Sequence, residues 1–452
     1  MAEHEPNEGL RGLLSEARWS QVELAAAVNR AANEAGVSVS CDKSNVNKWL
    51  GGTRPQVKWR PLILEALSRR LGRPVTHAEA GFPPSVAETA TLAALAMPED
   101  TVEGLVTIGR EDMDPSRRKF VTTTLYAAAL PIPAYVDLAG RAEAHATGRA
   151  TRIGTGEIAT VRTMTDRIAD ILDELGGGHA RPMAAAFLVN TVAPYLRADA
   201  SEAVRKDMLA AASDLVYLTG WMAMYEKAHG LGQRYYVQAL HLAADAEDHV
   251  TYCRTLRGMA LQAANLKHGK RSLELADSAA EAAPKAGPRL QAFLTGQQAQ
   301  GAALVKDKRL AFSRLAETQT ALSKADNRRD AIGGYDQAAY FFHVSSVLYG
   351  LGDVAGSIAA MQDSNRVRPP VEKQGRAHAN GLLAQRQLEV GHLEASCATW
   401  STFLDDYERL SSSRADEHFN VLRRRLRPYL KNQHAREVSE RAQELARQKV
   451  AS

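Results

Sequence analysis

Residues 41–55 read CDKSNVNKWLGGTRP, a short polar run closed by two glycines, an arginine and a proline. Asp42 suits the N-cap of a helix, where a carboxylate accepts from free backbone amides and is favoured by the helix dipole. Val46, Trp49 and Leu50 fall at i, i+3 and i+4, so they bury together on one face. Lys43, Ser44, Asn45, Asn47 and Lys48 are left on the outward side and at the N-terminal end, and Gly51-Gly52 ends the helix. Such side chains suit base edges and phosphates, because Asn pairs bidentately with adenine and Lys donates to guanine or to the backbone. An ordinary solvated face is the alternative, and the flanking residues decide between the two.

Upstream, residues 5–18 place Leu10, Leu13, Leu14 and Ala17 on one helical face. Ser20-Gln21-Val22-Glu23 reads as a capping box that opens a second helix, with Trp19 and Leu24 placed for a hydrophobic staple. Leu24, Ala25 and Val28 give that helix its buried stripe. Downstream, Arg54 and Lys58 flank the 43–50 helix as phosphate contacts. Between Cys41 and Pro74 eight Lys or Arg (Lys43, Lys48, Arg54, Lys58, Arg60, Arg69, Arg70, Arg73) stand against Asp42 and Glu65, whereas the first forty residues are acidic. A stripe of this sign supplies salt-dependent attraction to phosphates. The candidate DNA-binding set is Gln21, Lys43, Ser44, Asn45, Asn47, Lys48, Arg54 and Lys58.

SQVELA (20–25), VNKW (46–49) and GTRP (52–55) resemble the helix-turn-helix of Cro/repressor-type (XRE) regulators. One departure is large: NRAANEAGVSVSCD (29–42) stands where those proteins have a short turn, so the second helix is extended and a loop precedes the third. This longer form, continuing into EALSRRLGRPVTHAEAGF (65–82), is similar to actinobacterial regulators that join such a domain to tetratricopeptide-like repeats. The resemblance implies a transcription regulator whose repeats sense a peptide, protein or small molecule, which shifts the spacing of two DNA-binding units.

Composition agrees with an all-α chain. Ala and other good helix formers dominate, aromatics are only 6%, and long alternating runs of Val, Ile and Thr are missing. The 452 residues allow two or three domains, and a net charge of +4 neither demands nor excludes a polyanion. Cys41, Cys253 and Cys397 are too sparse for a disulfide framework and fit a reducing cytoplasm. RRKFVTTTLYAAALPIPAY (117–135) imitates a twin-arginine export signal, but it lies deep in the chain, is too short to span a bilayer and is broken by Pro131 and Pro133. It reads as a packed connector helix, preceded by a linker with little fixed structure up to about 113 and followed by a helix around 134–147. Arg117, Arg118 and Lys119 read as a solvated basic run, with a phosphate contact the lesser alternative.

The remainder reads as an array. Residues 157–175 form an amphipathic helix closed by Gly176-Gly177-Gly178, a helix end rather than a phosphate loop, since no Lys-Ser/Thr follows at the required spacing. Gly220, Gly258 and Gly296 are each 38 residues apart, and turn glycines recur at Gly230 and Gly269 and at Gly352 and Gly391. A helix pair of this length cannot bury its apolar face alone, so stacked copies share one core. The pattern resembles drifted tetratricopeptide repeats, and residues 414–448 read as a capping pair. The domains are therefore 1–82 (helix-turn-helix), 83–150 (linker and connector) and 151–452 (an α-solenoid of helical hairpins). A concave groove lined by first helices would expose Tyr217, Trp221, Tyr225, Arg257, Asn265, Gln300, His343 and His378 to a ligand.

No H-E-x-x-H, G-x-S-x-G, Walker A or zinc-spaced Cys/His cluster occurs, so no catalytic centre, metal or cofactor is expected. The expectation is a cytoplasmic, sequence-specific DNA-binding regulator without membrane attachment. A single small unit buries limited surface, so two copies in a homodimer are expected on a pseudo-palindromic operator. The alternative from another class is an interaction scaffold with a vestigial helix-turn-helix domain.

Overall fold

The computed structural model describes residues 6–35, 37–73, 75–82, 100–113, 126, 152–282, 287–325 and 335–451. It is all-α: among these residues there is no strand, only an isolated bridge between Arg152 and Asp199. No helix among them is long and apolar enough to cross a membrane.

Four helices form the N-terminal domain: α1 (Glu8–Ala17), α2 (Gln21–Glu34), α3 (Lys43–Leu50) and α4 (Arg60–Leu71). The capping box is present, with the Glu23 carboxylate accepting from the Ser20 amide at 2.7 Å and the Ser20 hydroxyl accepting from the Glu23 amide at 3.3 Å. Leu10, Leu24, Val28, Val46, Ile63 and Leu67 are all at 0% exposure and make one core. Each such side chain contributes roughly 1.5–3 kcal/mol relative to leaving it in water.

The 101–113 stretch departs from expectation. It is not a loose linker but a helix, α5 (Thr101–Met113), with Leu105, Val106 and Ile108 buried. Two of its acidic residues anchor it: Asp112 pairs with Arg181 and accepts from the Tyr235 hydroxyl at 3.1 Å, and Glu111 pairs with Arg234 at 2.8 Å. The expected connector helices around 117–135 and 134–147, with Arg117, Arg118 and Lys119, lie outside the described residues apart from Tyr126.

The array opens with α6 (Thr155–Leu175) and α7 (Gly177–Phe187), the latter running through a π-helical turn at Leu188–Val192. Hairpins follow: α8 (Glu202–Tyr225) with α9 (His229–Asp245), α10 (His249–Asn265) with α11 (Gly269–Glu281), and α12 (Pro288–Leu304) with α13 (Lys308–Ser323). Next come α14 (Gln337–Leu351) with α15 (Val354–Val367), α16 (Lys373–Glu389) with α17 (Leu393–Tyr407), and α18 (Ser413–Arg425) with α19 (Gln433–Ala451). Helices of a pair pack on each other and on the next pair. Small residues allow the approach and add polar ties: Ser272 donates to the Ala260 carbonyl at 2.9 Å and Ser396 to the Ala384 carbonyl at 2.8 Å.

Two glycines do other work than expected. Gly352 and Gly391 hold positive φ at their turns, but the corresponding positions of earlier turns belong to Lys227, Lys267 and Lys306, with φ of 60°, 66° and 66°. Gly230 and Gly269 lie just downstream, inside the first turns of α9 and α11. A Cβ at Gly269 would press on Leu304, so this glycine serves helix contact rather than chain reversal.

The Gly176-Gly177-Gly178 triplet does end α6, and it also meets the far end of the array. Ser411 donates its amide to the Leu175 carbonyl at 2.8 Å and its carbonyl accepts from the Gly178 amide at 2.9 Å. Glu226 accepts from the Ser413 amide at 3.1 Å, and Lys227 pairs with Glu417 at 3.2 Å. The first helices of the array are thereby joined to its last hairpins, and the solenoid closes on itself.

Candidate nucleic-acid interface and array interior

The apolar trio of α3 is buried, with Val46 at 0%, Trp49 at 5% and Leu50 at 8% exposure. Trp49 also packs against Trp59, with ring centroids 5.6 Å apart. Lys43, Ser44, Asn47 and Lys48 are exposed, and the repeats do not cover them. Asn45 is different. Its side-chain oxygen accepts from the Asp42 amide at 3.0 Å while Asp42 accepts from the Asn45 amide at 2.8 Å. The residue therefore completes a second capping box, and its carbonyl is spent on holding the helix start. The D-x-x-N spacing was the signal for it. Gln21 is half-buried, and its amide oxygen has no hydrogen-bond partner.

The basic stripe divides into two groups. Arg69 lies between Glu34 and Glu65 at 2.7 and 2.6 Å, Arg70 donates to the Ala17 carbonyl at 2.9 Å, and Arg73 pairs with Glu16 and Glu79. Arg60 donates to the Pro55 carbonyl at 3.0 Å. These four brace the domain. Lys43, Lys48, Arg54 and Lys58 are exposed and enter no ion pair among the described residues, so they form the smaller patch of uncommitted charge.

The long α2–α3 connection is also braced. Asn29 donates to the Cys41 carbonyl at 2.8 Å and accepts from the Cys41 amide at 2.7 Å. Burial and the Asp42 charge push the Cys41 thiol up to about 11, so it stays protonated and unreactive near neutrality. At the other end of α2, Glu34 also reaches the His268 ring at 3.6 Å. Tyr126 stacks on that ring with centroids 5.7 Å apart, so the N-terminal domain rests on the α10–α11 turn.

The eight groove candidates are placed differently from an open concave surface. Tyr217, Arg257 and His343 are buried, at 2%, 3% and 5% exposure, because the self-closed array packs its inner face with side chains. Trp221, Tyr225, Asn265, Gln300 and His378 are half-buried. The structure does bring several of them together. Tyr217, Trp221 and Tyr225 form a ring ladder with centroid separations of 6.3 and 5.4 Å. The Arg257 guanidinium lies 4.9 Å from the Trp221 ring and 3.8 Å from that of Phe293. Others are engaged apart from this cluster: Asn265 with the Met224 sulfur, Gln300 with Gln297, and His378 with His418 at 2.9 Å. Sequence spacing missed Phe293, His418 and Arg414, which stacks on Tyr225 at 4.7 Å, since they arrive from other hairpins. Among the described residues no three His, Cys, Asp or Glu side chains gather where they would hold a metal ion.

A family model described as the SP15 N-terminal domain matches residues 10–83. The match runs from α1 through the turn at Phe82, the unit built around Trp49 and Ile63. No curated protein matches the chain. No solved structure matches it either.

Proposed function

We infer that the chain is a sequence-specific DNA-binding transcription regulator with a repeat domain that senses a ligand and mediates dimerisation. One observation supports this reading best: α3 exposes Lys43, Ser44, Asn47 and Lys48 while Val46, Trp49 and Leu50 anchor it from behind. A short rigid helix with amide, hydroxyl and ammonium groups outward fits the major groove, and Arg54 and Lys58 beside it suit phosphates. Asn47 and Ser44 are the base readers in this reading, and Asn45 holds the helix start. Two copies on a pseudo-palindromic operator would supply the area that one small unit lacks. A cytoplasmic location follows from the same reading.

Titration of the full chain against a random duplex pool at several salt concentrations tests it. With four uncommitted cations per unit, the log–log salt slope should be about −3 to −4 per unit bound. Arg54→Ala should reduce that slope by about 1 and weaken all sequences alike. Salt-insensitive or absent binding would favour the interaction-scaffold alternative.

A further inference from the structure

We propose that the interior of the repeat array holds a binding site for a monocarboxylate on an apolar ring-bearing body, with Arg257 as its anion anchor. Arg257 is 3% exposed, and its Nε and Nη1 atoms are buried with no hydrogen-bond acceptor. Arginine keeps its charge in proteins, and a buried charge is ordinarily paired. Arg257 enters no ion pair among the described residues, unlike its neighbour Arg254, which pairs with Asp214. Its surroundings are neutral: the Trp221 and Phe293 rings lie 4.9 and 3.8 Å from it, the Tyr217 hydroxyl is hydrogen-bonded to it, and His343 is near. Burial and the Arg257 charge push His343 down to about 3, so this ring adds no charge near neutrality.

The geometry selects the class of anion. Aromatic rings pack against the guanidinium and leave its Nε and Nη1 donors without an acceptor, and a flat carboxylate is the anion whose oxygens best accept from such in-plane N–H groups. A phosphate dianion would bring a second charge, and the adjacent Arg254 is already committed to Asp214. The ladder continues from the cation through half-buried Trp221 to half-buried Tyr225, on which Arg414 stacks, and its ring edges suit an aromatic or other flat apolar body. The site deepens the sensing part of the proposed function, but it is tested without DNA and stands or falls separately from operator binding.

The full-length chain should be titrated with benzoate, acetate and inorganic phosphate at ionic strength held constant with chloride, by calorimetry and by tryptophan fluorescence. Benzoate should bind saturably, with one site per chain and a raised melting temperature. Acetate should bind at least tenfold more weakly, and phosphate more weakly than benzoate. Trp221→Phe should remove most of the fluorescence change. Arg257→Met should abolish benzoate binding, and Arg257→Lys should weaken it at least tenfold. No saturable benzoate response in the unmodified chain would overturn the proposal, whether or not the variants fold. So would equal binding by a folded Arg257→Met chain, and phosphate binding tighter than benzoate would overturn the monocarboxylate assignment.

Discussion

Asn29 holds Cys41 by both of its backbone groups, at 2.8 and 2.7 Å, and so ties the long α2–α3 connection back onto α2. Asp42, the next residue, caps α3. The buried trio anchors α3 from behind, and this amide side chain fixes where its N-terminal end begins. Asn29→Ala should cost about 1–3 kcal/mol through two lost bonds and exposed partners. It should also weaken duplex binding more than its stability loss explains. Urea unfolding and binding measured on the same preparation check this; full affinity in a destabilised variant would show that the clamp does not set the helix.

Trp49 and Asn47 lie on opposite faces of one helix and should separate stability from recognition. Trp49→Ala removes a ring at 5% exposure and should cost about 3–5 kcal/mol. Asn47→Ala, at an exposed position, should change stability by less than about 0.5 kcal/mol. Chemical denaturation of the two variants gives the comparison.

Acid should destabilise the repeats through their buried imidazoles. His343 and His418 are pushed down to about 3 and His229 to about 4, in each case first by burial and then by nearby positive charge. Their folded values lie below the unfolded value near 6.5, so the unfolded chain binds more protons in between. The stability of the neutral forms is fully present above about pH 6.5 and is lost as pH falls toward the folded values. Unfolding free energy at pH 7.5, 6 and 5 should fall, and His343→Gln should reduce the slope by up to about one proton, or 1.36 kcal/mol per pH unit. An unchanged slope would contradict the assignment of His343 as buried and neutral.

The seam between Gly176 and Ser411 should fail when a side chain is added. Gly176 has φ of 94°, and a Cβ there or at Gly178 would meet Ser411 closer than real Cβ atoms come to other groups. Gly176→Ala should cost about 1–3 kcal/mol from backbone strain alone. The radius of gyration by small-angle scattering should rise as the array opens. An unchanged radius would mean that other contacts, such as Glu226 with Ser413, suffice to close it.

Where local periodicity fixes the outcome, the sequence was legible. The Ser20–Glu23 box, the Val46–Trp49–Leu50 trio and the small-residue helices depend on spacings of three and four, and the structure has them. What spacing cannot carry is contact between distant segments. The stretch up to 113 reads as a loose linker because Arg181 and Arg234, which hold Asp112 and Glu111 of α5, come from α7 and α9. The same reason explains the inner face: Tyr217 and His343 read as groove residues because nothing in their own helices announces that Ser411 closes the array. The stripe of eight cations was overcounted because Glu16 and Glu34, which hold two of them, come from other helices.

Selection of bound duplexes from a random pool by the unmodified chain and by Ser44→Ala/Asn47→Ala is the most direct measurement of the outward face of α3. The unmodified chain should enrich one pseudo-palindromic motif, and the double variant should fold normally, bind with a similar salt slope and enrich none. Enrichment of the same motif by both would contradict the assignment of α3 as the reading helix, and no enrichment by the unmodified chain would contradict operator recognition itself.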